Sequence, residues 1–232
     1  MLTNTKFGLT GNQLKLIALI TMTIDHIGLL MFPHQIIWRI IGRISMPIFA
    51  FMIAEGCRYT RRRGRYLLLM LSIGLVCQLV YWFAMHDLSQ CILITFSLSI
   101  VLIYAIQYVQ KKPTVLSFLV LVTAFAFVYF VAVLLPKLLP NTNFNLDYGF
   151  FGVMLPVFIY LGEKRWQAFV MAVIGLTLRN IDLGGIQWYS MMALPLLALY
   201  NGTRGKANLK YLFYFYYPLH LAALHIFFTL LP

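Results

Sequence analysis

Charge is what this sequence has least of. Lys, Arg, Asp and Glu together make up 10% of its 232 residues, and only six of them are acidic. A soluble domain carries about a quarter charged residues. Cysteine is scarce too. Cys57, Cys77 and Cys91 are widely spaced, follow no metal-ligand pattern and fall in or beside apolar stretches. They read as small buried hydrophobes, not as a zinc site or a disulfide framework. There is no Walker loop, no dinucleotide fingerprint, no zinc motif and no nucleophile elbow. The first apolar run lacks a small-residue cleavage site and carries Lys15, Asp25 and His26. It is unlike a cleaved signal peptide and is expected to stay in the mature protein.

What is there is apolar: 62% of the residues are hydrophobic and 16% aromatic. One core in a chain of this length cannot hide that much apolar surface. An ordinary soluble domain and a disordered chain are excluded, and an all-α integral membrane protein remains. A helix needs about 20 apolar residues to cross a bilayer. On that measure the sequence offers about nine spans, near 13–32, 36–56, 66–85, 91–109, 114–135, 149–162, 166–181, 186–200 and 211–231. The sixth to eighth are short. All connections are short, so the chain reads as one polytopic domain over 1–232, a compact helical bundle in the cell inner or plasma membrane.

The basic residues orient it. Lys6, the run Arg58, Arg61, Arg62, Arg63 and Arg65, then Lys111, Lys112, Lys164, Arg165, Arg204, Lys206 and Lys210 all fall on the side of the N-terminus. The opposite segments, 33–35, 86–90, 136–148 and 182–185, hold Lys137 as their clear basic residue. This asymmetry predicts a cytoplasmic N-terminus and an outer C-terminus. It also accounts for most of the formal charge of +12, so no nucleic-acid partner is expected.

A few ionisable residues remain inside the spans. They are costly in hydrocarbon and point to function or to ion pairing. Lys15 and His26 lie three turns apart on one face of the first helix, about 16 Å along the axis. Asp25 neighbours His26 but faces away from it and is placed to meet the next helix. Arg39 and Arg43 lie at the same depth across the tight 33–35 turn, so Asp25 is expected to pair with one of them. His26 suits proton transfer near neutral pH. His220 lies near mid-membrane, one turn beyond Tyr216 and Tyr217, with Pro218 between. Glu55 is either a partner for the arginine run or a functional group. The run itself, from Arg58 to Arg65, reads as topology plus contact with anionic lipid headgroups, or as a cytoplasmic grip on a polyanionic cofactor.

Several of these residues sit in stretches that resemble the TraX family. They are TMTIDHIG at 21–28, IGRISMPIFAFMIAEG at 41–56, YTRRRGRY at 59–66, LDYGFFGV at 146–153, QWYSMMALPLLALYNGTRG at 187–205 and KYLFYFYYPLHL at 210–221. They run in the family's order and reach nearly end to end. The resemblance implies a conjugation protein linked to acetylation of the pilin N-terminus. It also implies similarity to multi-span acyltransferases that acetylate extracytoplasmic sugars. Those carry a basic residue, ten intervening residues and a histidine in their first helix, matched here by Lys15 and His26, with lysine where arginine is usual. The implied activity is acetyl transfer from cytoplasmic acetyl-CoA to an amine or hydroxyl outside, on a protein N-terminus or a glycan. Expected catalytic residues are His26 as general base, Arg39 or Arg43 for the oxyanion, Asp25 holding that arginine, and His220 or Tyr217 setting the His26 tautomer. Lys15, Arg58, Arg61, Arg62 and Arg63 are expected to hold coenzyme phosphates. A proton-coupled transporter or flippase, and a structural component of a secretion or conjugation assembly, are the alternative readings.

Overall fold

Helix α1, Gly11–Met31, starts at a capping box in which Thr10 and Gln13 satisfy each other's free groups. Its next two N–H groups, on Gly11 and Asn12, donate to the carbonyls of Thr203 and Arg204. Leu9 and Tyr200 form a bridge beside them. The 200–205 turn therefore caps α1 with backbone oxygens where no carboxylate is available. The computed structural model describes residues 7–86, 88–206, 209, 212–213, 215–220 and 222–223.

After α1 the chain turns at 33–35 into α2, Ile36–Gly42, and α3, Ser45–Tyr59. The sequence predicts one helix over 36–56, but the structure interrupts it at Arg43 and Ile44. Pro47 explains the break, since its ring clashes with the carbonyl four residues back and it has no N–H to donate. Ser45 Oγ donates instead to the Gly42 carbonyl, at 2.9 Å. The interruption sits at Arg43, one of the arginines expected to meet Asp25.

Helices α4, Arg63–Met85, and α5, Ile92–Lys111, form a hairpin. Helix α6, Val115–Tyr129, continues through a π-helical turn at Phe130–Leu134 into α7, Leu135–Leu138. In that turn Leu135 N–H donates five residues back to Phe130 O, next to Pro136, which has no N–H. Helices α8, Gly149–Leu161, and α9, Arg165–Leu183, follow. A 3-10 segment, Gly185–Ala193, then leads into α10, Leu194–Ala198. Gly184 and Gly185, at φ +65° and +53°, make the turn that separates α9 from it. Residues 212–213, 215–220 and 222–223 are helical.

Five helical stretches among the described residues are long and apolar enough to cross a membrane: Gly11–Met31, Ile36–Tyr59, Arg63–Phe83, Ile92–Lys111 and Val115–Leu138. They coincide with the first five predicted spans. Helix α8 is apolar but shorter, and α9 is 19 residues long but carries Arg165, Arg179 and Asp182. The predicted span 186–200 is not one α-helix but the 3-10 segment followed by α10. In the most apolar window of Val115–Leu138 only 11% of residues are buried, and Phe118, Leu119, Val122 and Phe125 stand exposed. Such a surface belongs in lipid.

The chain divides into two compact units, 1–52 with 162–232, and 53–161. The first is packed around Leu14, Ala18, Ile48, Phe51 and Leu176, and the second around Ile100, Ile103, Val153 and Leu155. In the second unit the segment 145–147 pairs with Gln90, through Gln90 N to Asn145 O and Asp147 N to Gln90 O. Thr95 Oγ1 donates to Asp147 O at 3.0 Å and Ser99 Oγ to Val153 O at 2.7 Å. These bonds fix the start of α8 on α5.

Candidate functional site

The site lies in the first unit, around the outer half of α1 in the predicted orientation. Two glycines let α2 lie close against α1. A Cβ on Gly42 would stand 2.2 Å from the Asp25 Cβ, and one on Gly28 would stand 2.2 Å from the Trp38 Cβ. The Asp25 carboxylate therefore reaches the arginines of the next helix. Arg43 Nη2 donates to both its oxygens, at 2.6 and 2.8 Å, and Arg39 Nη1 to one, at 3.1 Å. Both expected partners bind the one acid. Asp25 and Arg43 are buried, while Arg39 keeps 28% of its side chain exposed. Arg43 Nε also donates to Arg39 O at 3.2 Å, so its guanidinium is held on two sides.

On the adjoining face of the same turn, His26 Nδ1 lies 2.8 Å from His220 Nε2, and His220 Nδ1 lies 3.0 Å from Tyr216 O. A carbonyl only accepts, so His220 Nδ1 carries a proton. The neutral ring then presents a lone pair at Nε2, and His26 Nδ1 must donate to it. That leaves the lone pair of His26 on Nε2, and a proton added to the pair enters there. The network assigns both tautomers. Tyr217 meets the His220 ring edge-on at 5.4 Å and Tyr216 stacks on it at 5.2 Å. Thr23 Oγ1 donates to Leu19 O, so the Tyr216 hydroxyl, 2.5 Å from Thr23 Oγ1, is the donor of that pair. Of the two residues expected to set the His26 tautomer, His220 makes the bond and Tyr217 packs against His220.

Lys15 points the same way as His26. Its ammonium lies over the Phe213 ring at 5.2 Å. Contacts from Lys15 to Phe213, Thr23 to Tyr216 and His26 to His220 rise together along both segments. The described residues from Phe213 to His220 therefore run parallel to α1.

The arginine run belongs to the second unit. Arg58 Nη2 donates to the Ile159 and Tyr160 carbonyls, each at 2.8 Å, and its Nη1 to Glu55 at 3.1 Å. It caps the C-terminal end of α8, where unpaired carbonyls and the helix dipole favour a cation. Glu55 is thus its ion-pair partner. Arg63 is half-buried with its guanidinium 5.8 Å from the Tyr104 ring, whereas Arg61 and Arg62 are exposed. Among the described residues no group of three His, Cys, Asp or Glu side chains is placed to hold a metal.

A model of the TraX protein family matches residues 10–228. The chain belongs to the TraX family. It is 26% identical, over 91% of its own length and 93% of the relative's, to a protein of Dichelobacter nodosus named "Probable fimbrial assembly protein FimC, serogroup H1". It is 63% identical to "Uncharacterized protein RP591" of Rickettsia prowazekii (strain Madrid E) over a stretch of 38 residues, 16% of this chain and 15% of that one. No solved structure matches.

In this TraX chain Arg179, visible in the sequence as an ionisable residue at the end of the seventh predicted span, gathers partners that the sequence did not point to. Arg179 and Asn180, near the C-terminal end of α9, are completely buried. Arg179 Nη2 donates to Asn180 Oδ1 at 2.8 Å, to Ser190 Oγ at 2.9 Å and to Gln187 O at 3.3 Å. Gln187 Oε1 in turn faces Arg43 Nη1 at 3.5 Å. Gln187 and Ser190 share a ridge because the 3-10 segment has three residues per turn. The unread signal was the polar pair Gln187 and Ser190, three residues apart, shortly after that arginine.

Proposed function

We propose that this TraX protein is an inner-membrane acetyltransferase. In this reading the N-terminus and the arginine run face the cytoplasm, and the acceptor lies outside. The parallel run of α1 and the described residues from Phe213 to His220 supports an odd number of spans from the first to the last, as nine requires. The 3-10 geometry supports a crossing at 185–198, because its larger rise per residue lets that segment reach about 25 Å.

The observation that carries the proposal is the chain from Tyr216 O through His220 to His26, which leaves His26 Nε2 as a base. That base takes the proton of an acceptor amine or hydroxyl as it attacks the thioester carbonyl of acetyl-CoA. Arg43, held by Asp25 and Arg39 O, stabilises the oxyanion, with Arg39 beside it. Such a fixed donor is typically worth about 3 kcal/mol. Collapse of the tetrahedral intermediate expels the coenzyme thiolate, which takes the proton back from His26. With Arg58 bonded to α8 and Glu55, Arg61, Arg62 and Arg63 are the residues of the run left to hold the coenzyme phosphates. The name of the Dichelobacter relative supports an acceptor on a surface fibre, a pilin N-terminus before a glycan.

The same name favours a second reading, in which the protein assists fibre assembly without chemistry. Binding of acetyl-CoA to the purified protein in detergent separates the two. The enzyme is expected to bind, and Arg61→Ala/Arg62→Ala/Arg63→Ala to weaken binding about tenfold or more, the scale of one lost charge-assisted bond. Absence of binding in the folded wild type would leave the assembly reading standing.

A further inference from the structure

The second unit holds a pair of cysteines that the acetyl-transfer site does not use. The connection between α4 and α5 folds back over the last turns of α4 and is pinned by one side chain. Gln78 donates to Ser89 O at 3.0 Å and accepts from Cys91 N at 3.3 Å. Cys91 Sγ lies 3.5 Å from Gly74 O. In an α-helix the side chain of residue i+3 lies over the carbonyl of residue i, which puts Cys77 at the same place. Both are free thiols in the structure, brought side by side by these contacts. Gly74 makes room for this approach, since a Cβ there would meet Ile94 Cδ1 at 2.9 Å. Cys77 and Cys91 are 0% and 4% exposed, so neither is an open reactive thiol.

We propose that Cys77 and Cys91 form a disulfide that staples the outer connection 86–91 to α4. The proposal rests on the orientation argued above, which puts that connection in a compartment where disulfides form and persist. The oxidant is a disulfide-bearing oxidoreductase of the outer compartment, acting while the hairpin is still open. The thiolate of one cysteine attacks the donor's disulfide, giving a mixed disulfide and one donor thiolate. The second cysteine, deprotonated, attacks the mixed disulfide, forms the Cys77–Cys91 bond and releases the donor's other thiolate. The cysteine pair loses two electrons, the donor disulfide gains them, and the two protons pass to the donor's thiolates. Closure of the bundle then shields the bond from reductants. The staple steadies Gln90 and, through it, the 145–147 segment that leads into α8.

The chain's own three cysteines make the test a count. Protein from cells whose outer compartment is oxidising is denatured without reductant and treated with a maleimide mass tag. One tag per chain is expected, on Cys57, rising to three after reduction. Cys77→Ser and Cys91→Ser are each expected to carry two tags before and after reduction, and Cys57→Ser none before and two after. Three tags on the unreduced wild type would overturn the proposal, as would a bond that maps to Cys57. Sidedness is read separately, by a protease site inserted between Pro140 and Asn141 and cut in intact cells. Cleavage from outside with three free thiols overturns the disulfide alone. Protection from outside overturns the orientation, whatever the thiol count.

Discussion

At the scale of the residue, the proposed chemistry turns on which nitrogen of His26 is free. The sequence makes His26 and His220 visible as imidazoles in apolar surroundings. It cannot reveal the 2.8 Å bond between them, because 194 positions separate them in the chain. The free nitrogen follows from Tyr216 O, a backbone atom that no residue-type pattern encodes. The role given to His220 is positioning, and its test must tell bonding from packing. His220→Phe keeps the rings of Tyr216 and Tyr217 in company but removes the acceptor for His26 Nδ1. It is expected to lower kcat about a hundredfold, within the range of general-base effects, with acetyl-CoA binding unchanged. His220→Gln, whose amide oxygen can accept the same proton, is expected to recover part of that loss. Equal activity in both variants, measured as acetyl transfer, would reduce His220 to packing.

At the scale of the element, the contact of α1 with α2 decides the site. The sequence foresaw that Asp25 would meet Arg39 or Arg43, because a tight turn makes antiparallel neighbours at equal depth. It did not foresee the break at Arg43, although Pro47 encodes it, because hydropathy records apolarity and not backbone hydrogen bonds. The same blindness made 186–200 look like an ordinary span. Gly42 is where the contact is most exacting. A Cβ there would fall 2.2 Å from Asp25 Oδ1 as well as its Cβ, and overpacking of this kind costs about 1–3 kcal/mol. Gly42→Ala is expected to lower the Tm in detergent by several degrees and to depress activity. Gly64→Ala, in α4 with nothing within 4 Å of the added Cβ, is expected to leave both unchanged or raise Tm slightly. Thermal unfolding of the two variants side by side checks this, and equal losses would contradict the close-approach argument.

At the scale of the whole molecule, the membrane class and the first five spans were legible because length and apolarity alone define them. The TraX family was legible too, in motifs that reach nearly end to end, and the match over residues 10–228 bears it out. Less of the site was legible. Arg58 looked like a phosphate ligand, but its guanidinium closes the end of α8. Arg179, Asn180, Gln187 and Ser190 join the Arg43 neighbourhood from a distant part of the chain. Sequence spacing shows neighbours on one helix; it does not show which helices pack together. The proposed acetyl transfer rests on the imidazole chain and the arginines held by Asp25, which meet across one turn of α1. The most direct measurement follows labelled acetyl groups from acetyl-CoA, supplied on the cytoplasmic face of sealed inside-out membrane vesicles, into protein and glycan inside them. Wild-type membranes are expected to incorporate label, and His26→Ala membranes, with the protein inserted at equal amount and binding acetyl-CoA equally, about a hundredfold less. Equal incorporation in the two would contradict the account.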